Sequence, residues 1–229
     1  MDKLFVALDF KQEAEMWSFM DYFKSQPIAV KVGMSQFYLS GPDLVKRLAD
    51  DGHRVFLDLK SHDIPNTVYL AMTQLSKLPV DIVTIHTLGG QEMMEAAMDG
   101  IQTGPYQPKV LGITQLTSTN QATLHSLGIE LPMEASVRSL AQLAQASGLD
   151  GVVSSVHEVT DIKKATSSDF LCLTPGIRMA GSQADDQSRT ASPSQARQAG
   201  ADYIVVGRPI TQAEDPIKAY NRYLQDWRN

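Results

Sequence analysis

Short apolar runs, rich in Val, Ile, Leu and Phe, recur along the chain and alternate with segments that we interpret as helices. Eight runs are predicted to be strands: 4–9, 28–33, 54–60, 81–87, 110–117, 151–155, 170–176 and 203–208. Helices are predicted at 12–25, 42–51, 66–77, 91–102, 133–147, 156–165, 194–199 and 215–227. Pro42 and Pro193 suit the first turn of a helix, and Gly52, Gly148 and Gly200 lie where a glycine commonly ends one.

Regular alternation of strand and helix predicts a parallel sheet with helices outside it. Eight such units in 229 residues match a compact α/β fold, the single-domain (β/α)8 TIM barrel, with one domain over 1–229. A doubly wound sheet is the structural alternative. Segment 176–193 lacks periodicity and is too long for an ordinary connection, which is typical of a lid or a binding loop.

Charge and composition narrow the classes of function. The chain has 20 Lys and Arg against 26 Asp and Glu, a formal net charge of −6, which argues against general nucleic-acid binding. The single cysteine, Cys172, lies in an apolar run and is expected to be a buried, inert thiol. No run approaches the roughly 20 apolar residues of a membrane span, and the first apolar run is too short for a signal peptide. We therefore expect no membrane partner and a cytoplasmic location.

Charged residues end three of the predicted strands. Because side chains alternate along a strand, one aliphatic face of each run is expected to meet the outer helices and the other face to point into the barrel. The inward faces end in Asp9, in Lys31, and in Asp58 and Lys60. Barrel active sites lie at the carboxyl ends of the strands, so these side chains are expected to converge there, with Asp63 just beyond. An ion-pair network that merely plugs the barrel is the alternative, but burying ions carries a large desolvation cost.

A second group of residues follows the last two predicted strands. Gly176 and Arg178 come after the seventh strand, and Gly207 and Arg208 end the eighth. In such barrels these two loops often bind phosphate, because glycine exposes backbone N–H groups and arginine adds a charge-assisted fork. Turn glycines beside solvated arginines are the alternative interpretation.

Residues 58–67, Asp-Leu-Lys-Ser-His-Asp-Ile-Pro-Asn-Thr, resemble the Asp-x-Lys-x-x-Asp-Ile signature of the orotidine 5′-monophosphate decarboxylase family. Segments 7–9 and 30–33 resemble the first two strands of that family, and 173–178 and 205–210 resemble its two phosphate loops. The motifs occur in order and at barrel spacing over nearly the whole chain. The resemblance implies decarboxylation of orotidine 5′-monophosphate to uridine 5′-monophosphate and CO2 in de novo pyrimidine biosynthesis, with no cofactor and no metal.

The same resemblance implies catalytic roles for individual positions. Lys60 would donate a proton to C6 of the pyrimidine, and Asp58 would face the carboxylate of the substrate. The alternating charged array would consist of Lys31, Asp58, Lys60 and Asp63. A homodimer is also implied, in which Asp63 and Thr67 reach across the interface.

Substrate-binding roles are implied for a further set of residues. The ribose hydroxyls would be bound by Asp9 and Lys31, and Gln187 in a mobile loop would bridge the phosphate and the base. The residues near the pyrimidine would be Thr117, Ser118 and Pro175. The residues that hold the phosphate would be Arg178, Gly207 and Arg208.

The sequence leaves two other functions open. A metal-dependent sugar-phosphate decarboxylase on a similar barrel shares the Asp-x-Lys-x-x-Asp motif, but its second strand is expected to carry an acidic metal ligand where this chain has Lys31. A non-catalytic nucleotide-binding barrel is permitted by the fold. A binding protein has little reason, however, to keep a costly array that contains both Asp58 and Lys60. The five histidines show no zinc-binding spacing.

Overall fold

All eight predicted strands are present in the computed structural model, which describes residues 3–179 and 190–228. They are β1 (Leu4–Ala7), β2 (Ala29–Gly33), β3 (Arg54–Ser61), β4 (Ile82–His86), β5 (Lys109–Ile113), β6 (Gly151–Val153), β7 (Leu171–Thr174) and β8 (Tyr203–Val206). Each strand pairs in parallel with the next along the chain, and β8 pairs with β1. The sheet is therefore a closed TIM barrel, and the doubly wound alternative, which would leave the sheet open, is wrong.

Alternating side chains form two separate cores, as the hydrophobic pattern predicts. Outward residues such as Leu4, Val6 and Val30 are fully buried against the helices. The inward residues form a smaller core inside the barrel, made of Phe5, Ala7, Ala29, Phe56, Ile82, Leu111, Leu173 and Val205. The rings of Phe5 and Phe56 meet edge to face, with centroids 5.7 Å apart. Because these apolar side chains fill the barrel interior, inward polar side chains are expected at the carboxyl ends of the strands.

Ten α-helices within the described residues connect the strands and cover the outer face of the barrel. They are α1 (Glu13–Met20), α2 (Met34–Asp50), α3 (Pro65–Leu75), α4 (Gly90–Ile101), α5 (Gln121–Ser126), α6 (Met133–Ala146), α7 (Val159–Ala165), α8 (Pro193–Ala199), α9 (Arg208–Thr211) and α10 (Pro216–Arg228). In the parts of the chain that the structure covers, no helix combines the length and the apolar character needed to cross a bilayer.

Three helices differ from the prediction. Helix α2 begins at Met34 rather than at 42, and Gly41, with φ 68°, separates an extra first segment from the predicted second one. Helix α5, which the prediction omits, is only six residues long and is capped at its amino end by Asn120, whose side chain accepts a hydrogen bond from the backbone N–H of Thr123. Helix α9 is likewise absent from the prediction, because its four residues include Arg208, which we assign to the end of the last strand.

Three aspartates tie neighbouring strands together at the amino end of the barrel. Asp81, Asp150 and Asp202 each precede an even-numbered strand and accept a hydrogen bond from a backbone N–H of the odd-numbered strand before it, at 3.1, 2.8 and 2.9 Å. Each aspartate also pairs with a cation, in the pairs Arg54–Asp81, Lys109–Asp150 and Lys163–Asp202. These contacts hold the end of the barrel that lies opposite the predicted site.

Candidate active site

A cavity of about 620 Å³ opens at the carboxyl ends of the strands, where barrel active sites lie. Its volume is in the range of small-molecule sites. Ten of the residues assigned to a site from the sequence line it: Asp9, Lys31, Asp58, Lys60, Thr117, Ser118, Pro175, Arg178, Gly207 and Arg208. Asp63 and Thr67 do not line the cavity, and Gln187 lies outside the described residues.

Asp58 lies at the centre of a charged row in this cavity. Its Oδ2 atom lies 2.7 Å from Nζ of Lys60 and 3.7 Å from Nζ of Lys31. The ammonium of Lys31 also lies 3.1 Å from Oδ1 of Asp9. Anions and cations therefore alternate along the row. Since each charge has an opposite neighbour, the cost of removing it from water is offset by direct attraction and hydrogen bonding.

Gly33 leaves the space in which this row forms. It ends β2 in register with Asp58 of β3. A Cβ atom at Gly33 would lie 3.0 Å from Oδ1 of Asp9 and 3.1 Å from Nζ of Lys31. A side chain would therefore crowd both members of that ion pair, and glycine lets them meet.

Strand β3 departs from regular pairing at the charged row. Its register with β4 shifts so that residues 58–60 lie opposite Thr84 alone. Lys60 has φ 52°, and no other non-glycine residue in the described part of the chain has a positive φ. The buried hydroxyl of Thr84 accepts a hydrogen bond from the backbone N–H of Lys60 at 3.0 Å and donates one to Oδ1 of Asp58 at 2.9 Å. Bulges and left-handed residues of this kind concentrate at functional sites.

Glycines and arginines border another part of the rim. Gly176 follows β7 with φ 79°, a conformation that favours glycine, and Gly207 precedes α9. Arg178 is 8% exposed and donates from Nη1 to the carbonyl of Ile177 at 2.9 Å. Arg208 is exposed at the rim. Two guanidinium groups therefore lie where an anionic group of a ligand could be held.

The long segment predicted to be a lid leaves and re-enters the fold at neighbouring positions. Ile177 and Ala191 form a parallel bridge, and the backbone N–H of Arg178 donates to the carbonyl of Ala191 at 2.9 Å. Because Arg178 lines the cavity, both ends of the segment are anchored beside it.

Asp63 and Thr67 are exposed to solvent and lie apart from the charged row. Oδ1 of Asp63 accepts a hydrogen bond from the backbone N–H of Ile64 at 2.7 Å. Asp63 borders a shallow depression with Ile64 and Leu88, which are 65% and 43% exposed. Within one chain, the described contacts do not bring Asp63 into the row.

A histidine pair flanks the charged row without lining the cavity. The rings of His62 and His86 stack with centroids 5.5 Å apart. Burial lowers the pKa of His86, and electrostatic interactions with the neighbouring His62 and Lys60 lower it further. A neutral imidazole therefore lies near the cluster and adds no third positive charge to it.

Sequence analysis does not identify Thr84, Gly33 or Gln115. Gln115 is buried, lines the cavity and donates from Nε2 to the hydroxyl of Ser136 at 3.3 Å. A signal for Thr84 was present, because it lies two positions after Ile82 and hence on the same inward face of β4.

Cys172 does not contribute a nucleophile. Its side chain is fully buried, and burial raises the pKa of the thiol to about 12, so the expectation of an inert thiol is met. Across residues 3–179 and 190–228, no three or more His, Cys, Asp or Glu side chains are grouped so that they could hold a metal ion.

Comparisons with known proteins agree with this fold and identify its family. Residues 2–223 match the model of the family described as Orotidine 5′-phosphate decarboxylase / HUMPS family. The orotidine 5′-phosphate decarboxylase of Enterococcus faecalis is 49% identical over 232 residues, which cover 99% of this chain and 98% of that protein. The enzyme of the same name from Streptococcus mutans is 50% identical, over 97% of this chain and 96% of that protein. The crystal structure of orotidine 5′-phosphate decarboxylase from Lactobacillus acidophilus has a TM-score of 0.88 and 40% identity over the full length of both chains. Since the family model spans nearly the whole chain and these relatives share about half of its residues, the chain belongs to the orotidine 5′-phosphate decarboxylase / HUMPS family.

Proposed function

We propose that this protein decarboxylates orotidine 5′-monophosphate at C6 without a cofactor and releases uridine 5′-monophosphate and CO2, a reaction of de novo pyrimidine biosynthesis. The observation that carries the proposal is the row of alternating charges in the cavity, in which the ammonium of Lys60 lies 2.7 Å from Asp58. Relatives that share about half of the sequence are named for this activity.

The chemistry of the reaction explains why such a row is needed. When the C6 carboxylate leaves as CO2, its bonding electron pair stays on C6 in the plane of the ring and cannot delocalise well into the π system. An ammonium beside C6 stabilises this pair electrostatically and then transfers a proton to it. We assign that ammonium to Lys60, which is left as a neutral amine and regains its proton from solvent. A row that is formed before the reaction needs little rearrangement as the charge develops.

Asp58 has two roles in this proposal. Its carboxylate holds the Lys60 ammonium in place by direct attraction and a hydrogen bond of 2.7 Å. It also places negative charge beside the carboxylate that leaves, so their repulsion disappears when CO2 departs. The Lys31 ammonium, 3.7 Å from Oδ2 of Asp58, offsets part of the negative charge of Asp58 and so reduces this repulsion.

The other residues assigned to the site from the sequence are proposed to bind the parts of the substrate that do not react. Asp9 and Lys31 bind the ribose hydroxyls, and Gln187 bridges the phosphate and the base. The pyrimidine is assigned to Thr117, Ser118 and Pro175. The phosphate is assigned to Arg178, Gly207 and Arg208. Binding energy from the distant phosphate then supports ordering of the site, and with it the rate as well as the affinity.

Lys31 distinguishes this proposal from a metal-dependent sugar-phosphate decarboxylase with the same signature. That alternative needs an acidic ligand at the end of the second strand, where Lys31 stands. The Lys31 ammonium lies between Asp9 at 3.1 Å and Asp58 at 3.7 Å. A positive charge between these two carboxylates would repel a divalent cation.

Turnover of orotidine 5′-monophosphate, followed by pyrimidine absorbance with and without exhaustive chelation, tests the proposal. We expect full activity under both conditions. Loss of activity on chelation would favour the metal-dependent alternative. Binding of uridine 5′-monophosphate without any turnover of the substrate would favour a non-catalytic nucleotide-binding barrel.

We also propose that the protein acts as a homodimer in which Asp63 and Thr67 serve the cavity of the partner subunit. Both residues are exposed; Asp63 lies between β3 and α3, and Thr67 lies in the first turn of α3. The neighbouring apolar residues Ile64, Leu70 and Leu88 are 65%, 52% and 43% exposed. Exposed apolar surface next to an incomplete site supports coverage by a second copy of the chain.

The cytoplasm is the compartment that we propose for this reaction. A nucleotide with an ionised phosphate does not cross a bilayer unaided, so the enzyme belongs where its substrate is made. We propose no nucleic-acid or membrane partner. The net charge of −6 supports this for nucleic acids, because an acidic protein repels a polyanion.

A further inference from the structure

We infer that Thr84 is a positioning residue for the decarboxylation, because one side-chain hydroxyl fixes both Asp58 and Lys60. The inference rests on the function proposed above. Thr84 does not line the cavity. It acts through the two residues that do, and so it is not itself a catalytic residue.

The hydrogen bonds of Thr84 have a defined direction. A hydroxyl has one proton to donate and lone pairs to accept. The Thr84 hydroxyl accepts from the backbone N–H of Lys60 at 3.0 Å, and its proton is donated to Oδ1 of Asp58 at 2.9 Å. The other carboxylate oxygen of Asp58, Oδ2, accepts a hydrogen bond from Nζ of Lys60 at 2.7 Å. The backbone and the side chain of Lys60 are therefore both tied to the same carboxylate, one through Thr84 and one directly.

The bulge in β3 makes this hydroxyl necessary. In a regular parallel ladder, backbone N–H groups pair with carbonyl groups of the adjacent strand. Residues 58–60 lie opposite Thr84 alone, and the Lys60 N–H is satisfied by the Thr84 side chain instead. The left-handed backbone of Lys60, with φ 52°, is unfavourable for a residue with a Cβ atom and persists where its surroundings fix it. Without the hydroxyl, this segment loses the contact that holds it in the bulged form.

Packing alone does not explain a polar residue at this position. Thr84 is 1% exposed and shares the inward face of β4 with Ile82, a member of the apolar interior core. Valine has nearly the same shape as threonine and would fill the same space. The hydroxyl is what distinguishes them, and both of its hydrogen bonds go to residues 58 and 60.

Three variants separate positioning from a general structural effect. Thr84→Val removes the hydroxyl and keeps the shape, whereas Thr84→Ser keeps the hydroxyl. Thr87→Val is the matched control, because Thr87 is also fully buried and its hydroxyl donates to the carbonyl of Ile113 at 2.7 Å, outside the charged row. For each variant, kcat and KM with orotidine 5′-monophosphate, the Kd of uridine 5′-monophosphate and the thermal midpoint are measured.

We expect Thr84→Val to lower kcat by about a hundredfold, since a shift on the order of 1 Å in a reacting group has an effect of that size. Its KM and its Kd for the product nucleotide should stay close to those of the wild type, because other residues bind the ribose and the phosphate. Thr84→Ser should recover most of the lost kcat. Thr87→Val should keep its kcat although its thermal midpoint falls about as far as that of Thr84→Val.

Other outcomes would overturn the inference. Wild-type kcat in Thr84→Val would show that the hydroxyl is not needed, and failure of Thr84→Ser to recover activity would show that the hydroxyl is not what matters. An equal loss of kcat in Thr87→Val would assign the effect to general destabilisation. A wild-type protein without turnover would instead overturn the proposed function, so the two failures are distinguishable.

Discussion

The ammonium nitrogen of Lys60 lies 2.7 Å from Oδ2 of Asp58, two residues earlier on the same strand. Both side chains are largely shielded from water, at 28% and 11% exposure. Attraction between them is therefore stronger than it would be in bulk solvent. The carboxylate is itself held from its other side by Thr84, so the amine is confined to one place before a ligand arrives.

Replacing Lys60 tests the assignment of the proton donor. We expect Lys60→Ala to fold normally, because Asp58 keeps contacts with Thr84 and with Lys31. Its kcat should fall by on the order of 10⁴, since both electrostatic stabilisation and proton transfer are lost. Lys77→Ala, which removes an exposed ammonium just after α3, is the control and should be fully active. Near-normal turnover in Lys60→Ala would refute the assignment.

Replacing Arg208 tests the assignment of the phosphate site. A charge-assisted hydrogen bond to a phosphate contributes about 2 kcal/mol, which corresponds to roughly thirtyfold in kcat/KM. Arg208→Ala should show such a loss with orotidine 5′-monophosphate and little loss with orotidine, which lacks the phosphate. Arg222→Ala, an exposed arginine in α10, should behave as the wild type with both. Equal losses of Arg208→Ala on the two substrates would remove Arg208 from the phosphate site.

Mixing two inactive variants tests whether Asp63 serves the partner subunit. Lys60→Ala and Asp63→Ala should each be nearly inactive alone. If each cavity combines Lys60 of one chain with Asp63 of the other, a mixed dimer has one doubly altered site and one intact site. A 1:1 mixture after subunit exchange should then recover about a quarter of wild-type activity, as expected for a symmetric interface with random pairing.

The control for this experiment is a mixture of Lys60→Ala with Lys60→Arg, in which no site regains the lysine and no recovery is expected. If Asp63 acted within its own chain, every site in the mixture of Lys60→Ala and Asp63→Ala would lack one residue. Absence of recovery after verified subunit exchange would therefore contradict the proposed interface.

His53 links the stability of the fold to pH. It is buried just before β3, and its Nδ1 atom accepts a hydrogen bond from the backbone N–H of Ile28 at 3.1 Å, which requires Nδ1 to be unprotonated. Burial lowers the pKa of His53 below its ordinary value of 6.5. The unfolded chain therefore binds a proton at a higher pH than the folded protein. The contribution of His53 to stability is complete above about pH 6.5 and is lost as the pH falls below it.

Urea unfolding at pH 7.5, 6.5 and 5.5 measures this dependence. The free energy of unfolding of the wild type should fall across the lower part of the range. His53→Asn, which keeps an acceptor but cannot titrate, should show a shallower fall. His125→Asn, at an exposed histidine in α5, should follow the wild type. An unchanged slope in His53→Asn would exclude His53 as a source of the pH dependence.

The strands and their two faces were predictable from the sequence because they follow a period of two residues. Phe5 and Phe56 point into the barrel and Leu4 and Val6 point outward, as that period requires. The same rule places Asp9, Lys31, Asp58 and Lys60 in one cavity. Closure of the sheet could be anticipated from the number of strand and helix units in the chain.

The remaining features depend on contacts between distant segments. The left-handed backbone of Lys60 is accompanied by a hydrogen bond to the Thr84 hydroxyl of β4, and no local sequence pattern around Lys60 predicts it. The first segment of α2 was missed because Gly41 and Pro42 signal a helix start, although a helix already precedes them. The absence of Asp63 from the cavity of its own chain could not be predicted, because the strand period does not extend past the end of β3.

The aspartates Asp81, Asp150 and Asp202 join adjacent strands at the amino end of the barrel, far from the reacting atoms. The barrel is thus stabilised at its amino end, and residues at its carboxyl end are not needed for these contacts. We therefore expect that loops at the carboxyl end can be exchanged or lengthened by laboratory evolution while these contacts between strands are kept.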